Sequence, residues 1–121
     1  MSKRILVVED QEDNRRIVRD LLTSVGYEII EAVTGEEGVT LAETQHPDLI
    51  LMDIQLPVID GYEAARRIKV NQALRHIPII AVTSYALSGD DVKAVASGCD
   101  DYVAKPYSQR ALLAKIRQYV P

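Results

Sequence analysis

Four short clusters in this 121-residue chain carry residue types suited to charge and phosphoryl chemistry: Glu9-Asp10, Asp53, Thr83-Ser84 and Lys105-Pro106. Three carboxylates brought into one crevice repel one another. A small, hard dication with oxygen ligands relieves that repulsion at lower cost than protonation does. Mg²⁺ is the candidate ion, with Mn²⁺ as an alternative. If one Asp is a nucleophile, the metal and a lysine can neutralise the equatorial oxygens of a transferring phosphoryl group while a hydroxyl donates to one of them. Asp53, Lys105 and Thr83 are the residues here that can take those three parts.

Such chemistry requires an architecture that brings distant positions together, and the hydrophobic pattern supplies one. The runs Ile5-Leu6-Val7-Val8, Leu49-Ile50-Leu51-Met52 and Ile77-Pro78-Ile79-Ile80-Ala81-Val82 are apolar at consecutive positions. Strands covered by helices on both faces of a parallel sheet need that pattern. Glu28-Ile29-Ile30-Glu31 and Tyr102-Val103-Ala104 are shorter and partly polar, as edge strands are. Amphipathic segments alternate with them. The clearest carries Ile17, Val18, Leu21, Leu22 and Val25 and stops at Gly26. Others follow Gly35 (Val39, Leu41, Ala42), follow Gly61 (Ala64, Ala65, Ile68) and close the chain (Leu112, Leu113, Ile116, Tyr119). The segment from Gly89 to Gly98 has only Val92, Ala94, Val95 and Ala96 to bury, so it is expected to be the least firmly packed and most mobile of five helices.

Five strands alternating with five helices predict a doubly wound α/β sandwich with right-handed crossovers, in one domain spanning 1–121. In such sheets the binding crevice lies beyond the carboxyl ends of the strands, where the winding direction reverses. All four polar clusters fall directly after expected strands.

Composition narrows the partners. With 47% hydrophobic residues the chain can bury a core unaided. Its 14 basic and 18 acidic side chains give a net charge of −4, which disfavours nucleic acid and anionic membrane surfaces. The single cysteine, Cys99, has no internal disulfide partner, and no apolar run is long enough for a signal peptide or a membrane span. A cytoplasmic location is the resulting expectation.

Taken together, the sequence resembles the response-regulator receiver family of two-component systems, over essentially its whole length. The resemblance is carried by Val7-Val8-Glu9-Asp10, by Pro47 through Pro57 around Asp53 with Asp60-Gly61, by Ala81-Val82-Thr83, and by Gly98 through Lys105-Pro106. It implies a flavodoxin-like, three-layer sandwich with strand order 2-1-3-4-5. It implies Asp53 as phosphoacceptor, with Mg²⁺ ligated by Asp10, Asp53 and the Gln55 carbonyl and by Glu9 through water. Lys105, Thr83 and the Ser84 backbone amide would stabilise the phosphoryl group, with a cis peptide between Lys105 and Pro106, the kind of bond where cis costs little. Thr83 and Tyr102 would form the switch, acting on a face made by the fourth helix, fifth strand and fifth helix. The donor would be a sensor histidine kinase or a histidine phosphotransfer protein. Output would pass to a downstream protein target, from a monomer or a phosphorylation-dependent dimer.

Each residue also has a plainer reading. Glu9-Asp10 alone could be a solvated strand end or helix cap, Thr83 a strand-ending threonine, Lys105 a surface lysine and Tyr102 a half-buried edge tyrosine. Only the ensemble favours function. Cys99 reads as a small buried filler, His46 and His76 as isolated, and Asp13 and Asn14 as helix-start residues. Gln55 and Tyr85 occupy variable positions flanking the acyl phosphate in the family, and their bulk is expected to lengthen the phosphorylated lifetime. Ser84, where the family most often has Ala or Gly, is still small enough to admit the phosphoryl group.

Three other functions compete on the same pattern. A phosphatase with an aspartyl nucleophile needs a second Asp two residues on, and Gln55 stands there, so turnover of an external substrate is not expected. A phosphorylation-independent interaction module has no physical need for a buried charge cluster. A nucleotide or flavin site lacks a Gly-rich loop after the first strand. Met1 close to the first strand and Pro121 soon after the last helix suggest a single-domain regulator whose output is protein contact.

Overall fold

The structure is a computed structural model, and it describes residues 2–83, 96–105 and 107–121. Its five strands are β1 (Arg4–Val8), β2 (Glu28–Ala32), β3 (Leu49–Asp53), β4 (Ile79–Thr83) and β5 (Asp101–Ala104). They form one parallel sheet in the order β2-β1-β3-β4-β5. Four helices lie among the described residues: α1 (Glu12–Ser24), α2 (Gly35–Gln45), α3 (Gly61–Lys69) and α4 (Gln109–Tyr119). Most of the Gly89–Gly98 segment, expected to be a further helix, lies outside them.

Strand alternation divides the apolar runs between two cores. Leu6, Val8, Ile50, Met52, Ile79 and Ala81 face Ala42 of α2 and Ala64, Ala65 and Ile68 of α3. Their neighbours Ile5, Val7, Leu49, Leu51, Ile80 and Val103 face Val18 and Leu22 of α1 and Leu112 and Ile116 of α4. This two-sided burial is why β1, β3 and β4 have no polar face. The edge strands β2 and β5 keep partly exposed positions, as their composition predicts.

Two details differ from the sequence reading. The fourth strand begins at Ile79 rather than Ile77, because Pro78 has no N–H for the ladder and contributes only its carbonyl, to Ile50 N–H at 2.9 Å. On α1, Val18 and Leu22 are buried but Ile17 is 51% and Val25 39% exposed. Ile17 stands about 100° around the helix from Val18, and Val25 falls on the C-cap, where the helix has ended. Gly26 then takes φ +96°, the left-handed conformation expected of a glycine just past a helix end.

Local polar chemistry fixes the helix starts that aim the chain back across the sheet. Thr34, Asp60 and Ser108 accept from the backbone N–H of Glu37, Glu63 and Ala111 at the N-termini of α2, α3 and α4. At the far edge of the sheet, the buried Tyr27 hydroxyl donates to the Val120 carbonyl at 2.6 Å and ties the end of α4 to the start of β2.

One backbone approach bears directly on the end of β3. A Cβ on Gly61 would stand 2.3 Å from the Asp53 carbonyl oxygen, a distance no side chain tolerates. The first turn of α3 therefore sits against the residue that ends β3. Gly61→Ala is expected to lower stability by about 1–3 kcal/mol by overpacking this contact, read as a lower urea midpoint at unchanged slope; an unchanged midpoint would show that the contact yields freely.

Candidate functional site

The described members of the strand-end clusters meet at the carboxyl edge of the sheet. Glu9 follows β1, Asp53 ends β3, Thr83 ends β4 and Lys105 follows β5. Backbone pairing continues past the strands, with Glu9 N–H to Ala32 carbonyl at 3.0 Å, Ile54 N–H to Val82 carbonyl at 2.9 Å and Lys105 N–H to Thr83 carbonyl at 2.7 Å. The side chains therefore leave a rigid edge. Among the described residues only Glu9, Asp53, Thr83 and Ser97 are buried and polar or charged, and three of those four belong to this edge.

Glu9, Asp10 and Asp53 each offer a carboxylate oxygen, and the three oxygens lie within 4.8 Å of one another. Lys105 Nζ stands 3.1 Å from Glu9 Oε1 and 3.6 Å from Asp53 Oδ2. Three carboxylates against one ammonium leave two negative charges in a crevice where Glu9 and Asp53 are buried and Asp10 is exposed, the complement of a hard dication. The titration behaviour carries the mark of this excess. Glu9 is raised above the ordinary carboxylate range, by burial first and then by Asp53, with Lys105 pulling the other way. Asp10 is raised by burial of its carboxyl and by Glu9 beside it. For Lys105, burial works against the ammonium, yet Asp53 and Glu9 outweigh it and the net shift is upward.

Gln55 sits where two of these residues meet. Its backbone N–H donates to Asp53 Oδ1 at 3.0 Å and its side-chain Nε2 donates to Thr83 Oγ1 at 3.1 Å. The loop it belongs to continues through Val58, which adopts a left-handed φ of +69° unusual for a β-branched residue. Tyr102 lies on β5 opposite Ala81, with its side chain exposed. Ser84, Tyr85 and Pro106, including the expected cis bond, lie outside the described residues. Cys99 is a buried filler whose thiol burial pushes up, as its neighbourhood in the sequence suggests.

Two residues at the site were not singled out from sequence. Arg15, on α1, donates from Nη1 to the Glu9 carbonyl at 3.0 Å and from Nε to Glu31 at 3.2 Å, and also pairs with Glu12. It braces the turn that presents the acidic pair. A signal was available, since Arg15 stands three and seven residues before Val18 and Leu22, at the crevice end of the buried stripe. Tyr107 lines a small cavity beneath the crevice with Glu9, Asp53 and Lys105, and burial raises its phenol. Its position two residues after Lys105 gave no clue to which way it turns.

A parallel 2-1-3-4-5 sheet with acidic residues and a lysine gathered at its carboxyl edge defines a receiver-type signalling module. A family model for the response regulator receiver domain matches residues 5–117, and the chain belongs to that family. It is 44% identical to the polar-differentiation response regulator DivK of Brucella ovis over 120 residues, covering 99% of this chain and 98% of that protein. Among solved structures, it is similar to the receiver domain of a sensor histidine kinase from Pseudomonas aeruginosa PAO1, which has a magnesium ion coordinated in its active site cleft. The TM-score is 0.92 at 38% identity, covering 99% and 98% of the two chains. It is also similar to the receiver domain of Saccharomyces cerevisiae Ssk1, solved with the histidine phosphotransfer protein Ypd1, at a TM-score of 0.90 and 32% identity over 98% and 88% of the chains.

The raised Glu9 and Asp10 give a stability prediction. Between the ordinary carboxylate range and the raised folded values, the folded chain holds more protons than the unfolded one, so metal-free stability falls as pH rises through that window. Asp53→Asn removes one of the charges responsible and is expected to raise the metal-free Tm at neutral pH by about 2–6 °C. The gain should disappear as pH drops below the carboxylate range. Calorimetry in EDTA checks this; an equal or lower Tm at neutral pH would contradict a repulsive crevice.

Proposed function

We propose that the chain is a phosphorylation-driven binding switch in which Asp53 accepts a phosphoryl group from a phosphohistidine. The observation that carries this reading is the convergence of Lys105 and two further carboxylates on Asp53, at a buried strand end that Gly61 and the sheet hold fixed. In the transfer, an Asp53 carboxylate oxygen forms a new O–P bond as the N–P bond of the donor breaks. The bonding pair leaves with the imidazole nitrogen, which takes up a proton.

Asp10, Asp53 and the Gln55 carbonyl would hold Mg²⁺, with Glu9 acting through water; Mn²⁺ suits the same oxygen donors. The bound ion would neutralise charge on the phosphoryl oxygens. Lys105 does the same from the opposite side, released from Glu9 and Asp53 as their charge is taken up elsewhere. Thr83 donates its hydroxyl to a phosphoryl oxygen, and the Ser84 backbone amide to another. Movement of Thr83 would let Tyr102 leave its exposed position on β5, changing the surface that β5 and α4 present. The bulk of Gln55 and Tyr85 would slow attack by water and lengthen the phosphorylated lifetime.

The donor in this reading is a sensor histidine kinase or a phosphotransfer protein, a choice supported by the company the Ssk1 receiver keeps with Ypd1. The output is contact with a downstream protein. Turnover of an external phosphoester is not part of the proposal, because Gln55 occupies the place where a general acid would be needed.

Intact-mass measurement after incubation with acetyl phosphate tests the reading. One phosphoryl adduct is expected, requiring Mg²⁺ and absent in Asp53→Asn. No adduct in the wild type, repeated with a phosphohistidine donor, would leave a phosphorylation-independent interaction module. In the same assay Lys105→Ala is expected to slow adduct formation by about 10²-fold while circular dichroism stays unchanged; a wild-type rate would remove Lys105 from the mechanism.

A further inference from the structure

Gln55 enters the proposed function through its backbone carbonyl and its bulk, yet its side chain has a more specific position. It is half-buried, its own N–H holds Asp53 Oδ1 at 3.0 Å, and its amide Nε2 donates to Thr83 Oγ1 at 3.1 Å. Thr83 is 2% exposed, so this hydrogen bond lies in a setting where orientation is costly to change. A hydroxyl has one hydrogen to donate. When its oxygen accepts from Gln55, that hydrogen must point away from the amide.

We propose that Gln55 is a positioning residue for Thr83: its amide fixes the hydroxyl so that the hydrogen is turned in the sense needed to donate to a phosphoryl oxygen on Asp53. This rests on Asp53 being the acceptor. It assigns Gln55 a directional part, separate from any shielding by bulk. One residue then touches both the acceptor carboxylate, through its backbone N–H, and the switch hydroxyl, through its side-chain amide. Because the amide acts through the hydroxyl it holds, loss of either member removes the same contribution.

The two roles predict different mutational arithmetic. Gln55→Met keeps the bulk and removes the donor. Thr83→Val keeps the shape and removes the hydroxyl. Affinity for beryllofluoride in the presence of Mg²⁺, read by ¹⁹F NMR, reports stabilisation of a phosphoryl-like group without depending on hydrolysis rates. Each single variant is expected to bind about 3–10-fold more weakly, as expected for loss of one hydrogen bond. The double variant should bind no more weakly than the weaker single. In Thr83→Ser, which retains a hydroxyl, Gln55→Met should again cause its full loss. Effects that multiply, or a Gln55→Met protein that binds like the wild type, would overturn the inference and leave Gln55 a matter of bulk alone. Absence of beryllofluoride binding in the wild type would instead overturn the acceptor reading on which the inference stands, so the two failures are distinguishable.

Discussion

The structure is organised around an unbalanced charge. Glu9, Asp10 and Asp53 converge within 4.8 Å at one edge of the sheet, and Lys105 answers only part of their charge. Crowding of such a cluster opposes folding, and the surrounding elements show how it is tolerated. The backbone ladder continues past β1, β3 and β5, so the residues that bear the charges cannot relax apart without breaking sheet pairing. Arg15 holds the Glu9 carbonyl from α1, and Gly61 brings the start of α3 against the Asp53 carbonyl. The two apolar cores supply the stabilisation against which this strain is set. A site held in this way favours whatever brings positive charge or takes negative charge away, and it does so without needing a large cavity.

Much of this was legible from sequence because it depended on the apolar patterning of strands and on residue types at strand ends. The unbroken apolar runs indicated strands with both faces covered, and the polar clusters following them had to share one edge of a parallel sheet. Where the sequence reading went astray, helix geometry and backbone chemistry were responsible. Ile17 belongs to an apolar set by composition, but its angle around α1 turns it to solvent. Pro78 interrupts a run that looks continuous. Side-chain direction was harder still. Nothing in the order of residues says that the Gln55 amide reaches Thr83, or that Val58 takes a left-handed backbone, since both depend on the course of the loop after β3.

Family membership and site geometry reinforce one another at different levels. The match over residues 5–117 fixes the class of module, while the distances around Asp53 show that this particular chain retains a charged crevice. The position two residues beyond Asp53 illustrates why both are needed. The family match does not specify the residue there, whereas the geometry shows that its glutamine amide lies 3.1 Å from Thr83 Oγ1.

The clasp between the Tyr27 hydroxyl and the Val120 carbonyl places the end of α4 at the edge of the sheet remote from the charged residues. A five-residue strand separates the two edges by about 16 Å, roughly twice the screening length in physiological salt. A fluorophore, bead or sensor surface coupled beyond Val120 would therefore leave the electrostatics of the crevice nearly undisturbed. Immobilisation through that end presents the open edge of the sheet to solution, an orientation suited to watching a partner arrive and depart.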